Sequence, residues 1–329
     1  MKRLFAPIVL AALTIFSLPV SGGALAQEPQ DQVKVDLYKK FVDNRGPNKE
    51  LAYQVGKEYL DKYGNDKDKY TDYIEKWVAL FERWYPKQRL PVLVEQKNFA
   101  EAFRVGTKVL EVFPDDLQAK ILLGYAGYLA LVDNDDTNSA VALVYAREAI
   151  TGIENGKTPI LPPVKAGDPR PNVWAPFRGK DDTLAYLNFS KAVLTLKSAP
   201  DESIDALLRA VSYDSAIRTT PSTYYFLAVA YESGQYKVLA AEYQTLFADK
   251  PETSEGKGVL AKLNDIMDRI IDGYARAIAL TGTDPKTEMS RKEWLEQMMV
   301  YYKFRNGGSE VGINEFIAGS LQRPLPAKP

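Results

Sequence analysis

The stretch TTPSTYYFLAVAYESGQYKVLAAEYQTLFADKP, Thr219 to Pro251, decides how this chain is read. Tyr224, Leu227, Ala228 and Tyr231 recur at the alternating short spacing that gathers side chains on one face of a helix. Ser233-Gly234-Gln235 interrupts that helix, because glycine readily leaves helical geometry. A second run, Tyr236, Leu239, Ala240, Tyr243, Leu246 and Phe247, follows at once. It stops at Asp249-Lys250-Pro251, where proline has no N–H with which to continue it. The prediction is two antiparallel helices joined at Gly234.

The same punctuation recurs along the chain. Lys97-Asn98-Phe99 reads as a turn, Ala102, Gly106 and Val109 as small residues by which a helix approaches its neighbours, and Phe113-Pro114-Asp115-Asp116 as a stop. Ala102 precedes Pro114 by the separation that divides Leu239 from Pro251. A helix from Leu117 to Leu131 contains Leu123-Gly124, and Ala142, Ala146 and Ala149 mark its partner. Further pairs are read at Leu37 to Tyr63 and, from Leu184, Leu187, Ala192 and Leu196 to Ile204, Leu207 and Ala210, on either side of Pro200. Asp66 is the expected N-cap of a helix carrying Tyr70, Tyr73, Trp77, Leu80, Phe81 and Trp84. That aromatic stripe reads as packing first and ligand contact second. Pro86 and Pro91 predict a kinked connection after it. Beyond Pro251 a long helix from about Glu255 to Leu280 ends at Gly282, and Trp294, Met298, Tyr301 and Tyr302 mark another. Residues 37–282 are thus read as helical repeats and 283–329 as a capping region, whose PLPAKP tail cannot fold on itself.

Leu227-Ala228, followed by Tyr231, the Gly234 turn, Tyr236 and the closing Pro251, resembles the tetratricopeptide repeat (TPR), and Leu123-Gly124 supplies the same leucine and small-residue pair in the earlier helix. In Thr219–Pro251 the turn is one residue shorter than the family pattern. The resemblance implies an all-α, TPR-like solenoid of helical hairpins, a right-handed superhelix with no sheet, that is a scaffold and not an enzyme. TPR domains hold partners in a groove lined by each repeat's first helix, and in that register Ile121, Tyr125, Tyr128, Tyr225 and Val229 point inward. Several members clamp a terminal carboxylate with lysines and asparagines at these places. Aromatic and aliphatic residues stand there in this chain, which favours an apolar partner. The alternative is that Tyr125 and Tyr225 are packed beneath the proline-rich loop.

That loop interrupts the repeats between Glu154 and Lys180. Pro159, Pro162, Pro163, Pro169, Pro171 and Pro176 forbid a regular helix, and Trp174, Phe177 and Arg178 follow without periodicity. It is read as a flap packed on the helices, a mobile loop, or a contact for a ligand or partner through Trp174, Phe177 and Arg178. The turn Asp133 to Asn138, DNDDTN, gathers carboxylates but has Asn138 and Val144 where a calcium loop requires glycine and glutamate, so it reads as a solvated turn capped by Asn138 or Ser139.

Lys2 and Arg3, an apolar run from Leu4 to Val20 and Ala24-Leu25-Ala26 form the pattern of a cleaved signal peptide over residues 1–26. Residues 27–36 are expected to be a loose leader, and the product to be periplasmic or secreted. The absence of cysteine and histidine removes disulfides, thiolate and Ser-His-Asp nucleophiles and the usual zinc ligands. A net charge of −1 supplies no positive field for nucleic acid or anionic lipid. No cofactor, no metal and no stable membrane insertion are expected. The leading expectation is an exported, non-catalytic scaffold for a protein or peptide of the bacterial cell envelope. The alternative is a glycan binder or a carboxylate-based glycoside hydrolase, because 20 tyrosines and four tryptophans can stack on sugars.

Overall fold

A computed structural model describes residues 32–160, 172–282, 284–326 and 328, and no strand occurs among them. The expected signal peptide, residues 1–26, and most of the proline run lie outside the described residues. The described residues form two compact units, divided between Tyr85 and Pro86.

In the first unit α1 (Gln32–Asn44) and α2 (Lys49–Tyr63) pack side by side. Helix α1 begins inside the stretch expected to be a loose leader, because Leu37 and Phe41 give it an apolar face to bury and Gln32 Nε2 donates to Asp36 one turn on. Helix α3 (Lys69–Glu95) follows. Its N-cap is Asp68, not Asp66: the Asp68 carboxylate accepts the N–H groups of Tyr70 and Thr71, while Asp66 pairs with Lys34. Ile74 and Val78 are its buried face, with Tyr70, Tyr73 and Leu80 largely exposed. The aromatic stripe therefore lies beside the core instead of forming it. Pro86 and Pro91 stand inside α3, where a kinked connection was expected. Leu90, Leu93 and Val94 bury their side chains just beyond, and that burial offsets the lost N–H groups.

In the second unit α4 (Phe99–Val112), α5 (Leu117–Val132), α6 (Ser139–Glu154), α7 (Lys180–Thr195), α8 (Pro200–Ala210) and α9 (Pro221–Tyr231) pack in succession. Helix α5 touches both α6 and α7. The small residues face neighbouring helices as their spacing predicts. A Cβ on Gly106 would lie 2.7 Å from Leu123 and one on Gly124 2.9 Å from the backbone of Ala146, so only glycine permits these approaches. Asp116 caps α5 by accepting from Ala119 N, and its carboxylate forms a buried ion pair with Lys87. In the acidic turn Asp133 takes the Lys97 ammonium and Asp135 accepts the Thr137 N–H. Asn138 precedes α6 without a side-chain cap.

Thr219–Pro251 departs from the expected hairpin. Gly234 leaves helical conformation (φ −95°, ψ −107°), as its position predicts, and α10 (Lys237–Leu246) starts beyond it. Yet α9 packs chiefly along α11 (Ser254–Thr281), not along α10. Helix α10 has no fully buried residue, whereas α11 buries Ile266, Met267, Ile270, Ile271, Tyr274 and Ile278. The larger apolar face takes the place beside α9. There Gly273 admits Ala228, whose Cβ is 3.0 Å from where a glycine-replacing methyl would stand. Helices α12 (Glu288–Arg305) and α13 (Ile313–Ala318) complete the unit. The tail does not hang free: Arg276 Nη2 donates to the carbonyls of Arg323 and Pro324. Buried Arg276 is itself paired with buried Asp272 at 2.6 Å.

Candidate functional site: a row of aromatic rings

Gly124 and Gly127 turn one side of α5 onto α6, where an added methyl would meet Ala146 and Ala142. Tyr125 and Tyr128 each come one residue later, about 100° round the helix, and so point away from α6. Tyr186 and Phe189 repeat that spacing on α7, and Tyr225 and Phe226 stand side by side on α9. The rings touch in sequence. Phe177 meets Tyr125 edge-on at 5.2 Å between centroids, Tyr125 lies 6.0 Å from Tyr128, and Tyr128 meets Phe189 edge-on at 5.2 Å. Phe189 is 5.9 Å from Phe226, Phe226 is 5.4 Å from Tyr225, and Tyr225 stacks on Trp294 at 5.1 Å with 19° between planes. All fall within the range where aromatic pairs attract beyond simple burial.

Of the five residues expected to line a groove, Tyr125, Tyr128, Tyr225 and Val229 are half-buried. Ile121 is buried among Leu117, Ala149, Phe177 and Leu184 and belongs to the core, because α5 is covered on that side by α6 and by the end of the loop. Tyr125 does lie against the loop's Phe177, whereas Tyr225 is covered by Trp294 of α12. Tyr186, Phe189 and Phe226 were not singled out from sequence. The available clue was the aromatic spacing on α7, which matches that on α5.

The described end of the loop, residues 172–178, packs on the helices. Phe177 is buried, Trp174 is half-buried against the same cluster, and Arg178 is exposed. Asn172 Nδ2 donates to the Phe177 carbonyl while its Oδ1 accepts the Trp174 N–H. Buried Asp182 anchors the segment to α7, accepting from the Arg178 N–H, the Arg178 guanidinium and the Ser215 hydroxyl. Burial opposes its charge, but these donors more than offset that and hold its carboxyl below the usual range.

Beside Tyr125 opens a cavity of about 1060 Å³, with apolar walls from Val94, Leu129, Pro176 and Phe177, neutral polar groups from Tyr186, Gln88 and Gln118, and the charged Glu95, Lys97, Arg178 and Asp182 on its lining. Burial pushes the Tyr125 hydroxyl up to about 12 and raises that of Tyr128, so both remain neutral donors near neutral pH. This surface can bury apolar groups and orient them with a few hydrogen bonds. Asp182, ionised and fully engaged, is unsuited to act as a general acid. Among the described residues no three histidine, cysteine or acidic side chains are gathered as a metal site would need, and no helix is long and apolar enough to cross a membrane.

No family model, curated protein or solved structure matches this chain.

Proposed function

We propose that this chain is an exported, non-catalytic helical scaffold of TPR-like design that holds a protein or peptide of the bacterial cell envelope against the ring-lined face of α5, α7 and α9. The observation that carries the reading is the continuous row from Phe177 to Trp294, assembled from helices far apart in sequence. The packing of α5 on both α6 and α7 supports repeat-like stacking. Rigid, half-buried tyrosines bury area on binding at low entropic cost. Several of these rings meet edge to face, so the edge of one ring covers a face of the next and leaves less open ring face than sugar stacking uses, and a peptide is favoured over a glycan.

The test is site-directed photocrosslinking in the envelope of the native host. A benzophenone side chain is placed at Gln118, beside the cavity, at Val229 on α9, or at Val144, exposed on α6. Gln118 and Val229 should yield the same crosslinked polypeptide and Val144 none. Equal labelling from Val144, or none from the two face positions, defeats the proposal.

A further inference from the structure

The row of rings ends beside a carboxylate that has no cation. Glu232, half-buried where α9 meets Gly234, accepts the Tyr301 hydroxyl at 2.5 Å and the Tyr274 hydroxyl at 3.2 Å. Elsewhere in this unit the well-buried acids have their own cations: Asp116 has Lys87, Asp182 has Arg178 and Asp272 has Arg276. Among the described residues no lysine or arginine pairs with Glu232.

The surroundings share its sign. Tyr236 meets Tyr301 edge-on at 5.2 Å, Tyr225 lies 6.2 Å from Tyr274, and Tyr225 is stacked on Trp294. Ring faces carry negative potential and attract cations. The charged groups acting on Tyr225, Tyr274 and Tyr301 are Glu232 and, for the first two, the exposed Glu293, and both are acidic. Burial first, and then Glu232, pushes the Tyr274 and Tyr301 hydroxyls far up, so they stay protonated and donate to the carboxylate without adding charge. A neutral apolar occupant would leave this negative end unanswered.

We infer that the partner of the ring-lined face is a peptide segment carrying a lysine or arginine, whose cationic head sits by Glu232 against Tyr225 and Trp294 while its apolar neighbours follow the rings toward Tyr125. This rests on the proposed binding face and adds to it the charge and polarity of the occupant. The aliphatic stem of either side chain would lie on ring surface with its charge at the carboxylate.

The experiment uses synthetic peptide pools of random sequence with one fixed central residue: lysine, arginine, norleucine or glutamate. Binding to the full chain is followed by fluorescence polarisation. The lysine and arginine pools should bind about tenfold more tightly than norleucine, as expected for a partly desolvated cation–π and ionic contact, and added salt should shrink the difference. Glu232→Gln keeps an acceptor for a tyrosine hydroxyl and should abolish the preference, bringing the lysine and arginine pools down to the norleucine pool. Trp294→Leu, which retains the carboxylate, should weaken the preference in part. If norleucine binds as tightly as lysine, or the lysine preference survives Glu232→Gln in a folded protein, the cationic anchor is wrong and the binding face stands. If no pool binds, and Gln118 also fails to crosslink, the binding face itself is refuted.

Discussion

Gly127→Ala offers the sharpest test of the packing that aims the rings. A methyl at Gly127 would stand 2.0 Å from the Ala142 Cβ, where unstrained carbon contacts begin near 3.5 Å. Helices α5 and α6 would have to part by more than about 1 Å, an overpacking cost near the upper end of the usual 1–3 kcal/mol, about 3 kcal/mol. Alanine returns about 1 kcal/mol through helix propensity, leaving a net loss of about 2 kcal/mol. For a unit of this size the melting temperature should fall by about 4–8 °C. Thermal unfolding followed by circular dichroism reads this directly, with Gly258→Ala as the control. Gly258 lies in α11 with nothing within 4 Å of an added Cβ, so that change should stabilise by about 0.5–1 kcal/mol. Adding Ala142→Gly to Gly127→Ala removes the opposing methyl and should recover much of the loss, a coupling that separate effects would not produce. A Gly127→Ala protein that melts at or above the parent, alongside a normal Gly258 control, would show that α5 and α6 are not in close contact.

Arg276→Ala should destabilise by about 3–5 kcal/mol, because it strands buried Asp272 and frees the carbonyls of Arg323 and Pro324; an urea midpoint equal to the parent's would contradict this. Raised tyrosine hydroxyls predict alkaline instability. Tyr125 and Tyr231 are pushed up to about 12, chiefly by burial, from an unfolded value of about 10, so the folded state binds more protons in this interval. Their contribution is intact below about pH 10 and lost as pH rises through about 12. Melting temperatures should fall across that window, and a flat profile would count against burial of these rings. At the acid end, burial opposes the charge of Asp68, but Lys34 and the N–H groups of Thr71 and Tyr70 hold its carboxyl down at about 2. Its stabilisation is therefore present above about pH 4 and lost as pH falls through about 2, and Asp68→Asn should flatten acid unfolding of the first unit.

The sequence by itself determined the breaks at Gly234 and Gly282 and which small residues press against neighbouring helices. Proline after Asp249-Lys250, glycine at 234 and 282, and small residues at 106, 124, 142 and 146 act within a turn or two of their own position, so their consequences are local. The resemblance to a repeat register implied a helical face for Tyr125, Tyr128 and Tyr225. Neither that register nor periodicity could name what each face would meet. That α9 lies along α11 instead of α10 was decided by competition between two apolar faces, and α11, with Ile266, Ile270, Tyr274 and Ile278, has much the larger one to bury. The same competition drew Ile121 into the core and brought Trp294 from the capping region onto Tyr225. It also let Pro86 and Pro91 remain inside a helix that buries Leu90, Leu93 and Val94. Glu232 shows the limit most plainly: it follows Tyr231 as an ordinary acidic residue, and its two tyrosine donors come from Tyr274 and Tyr301, which no local pattern places beside it. Helix geometry acts through neighbours three or four residues apart, whereas the ring row and its carboxylate depend on distances between helices, which only the packed structure sets.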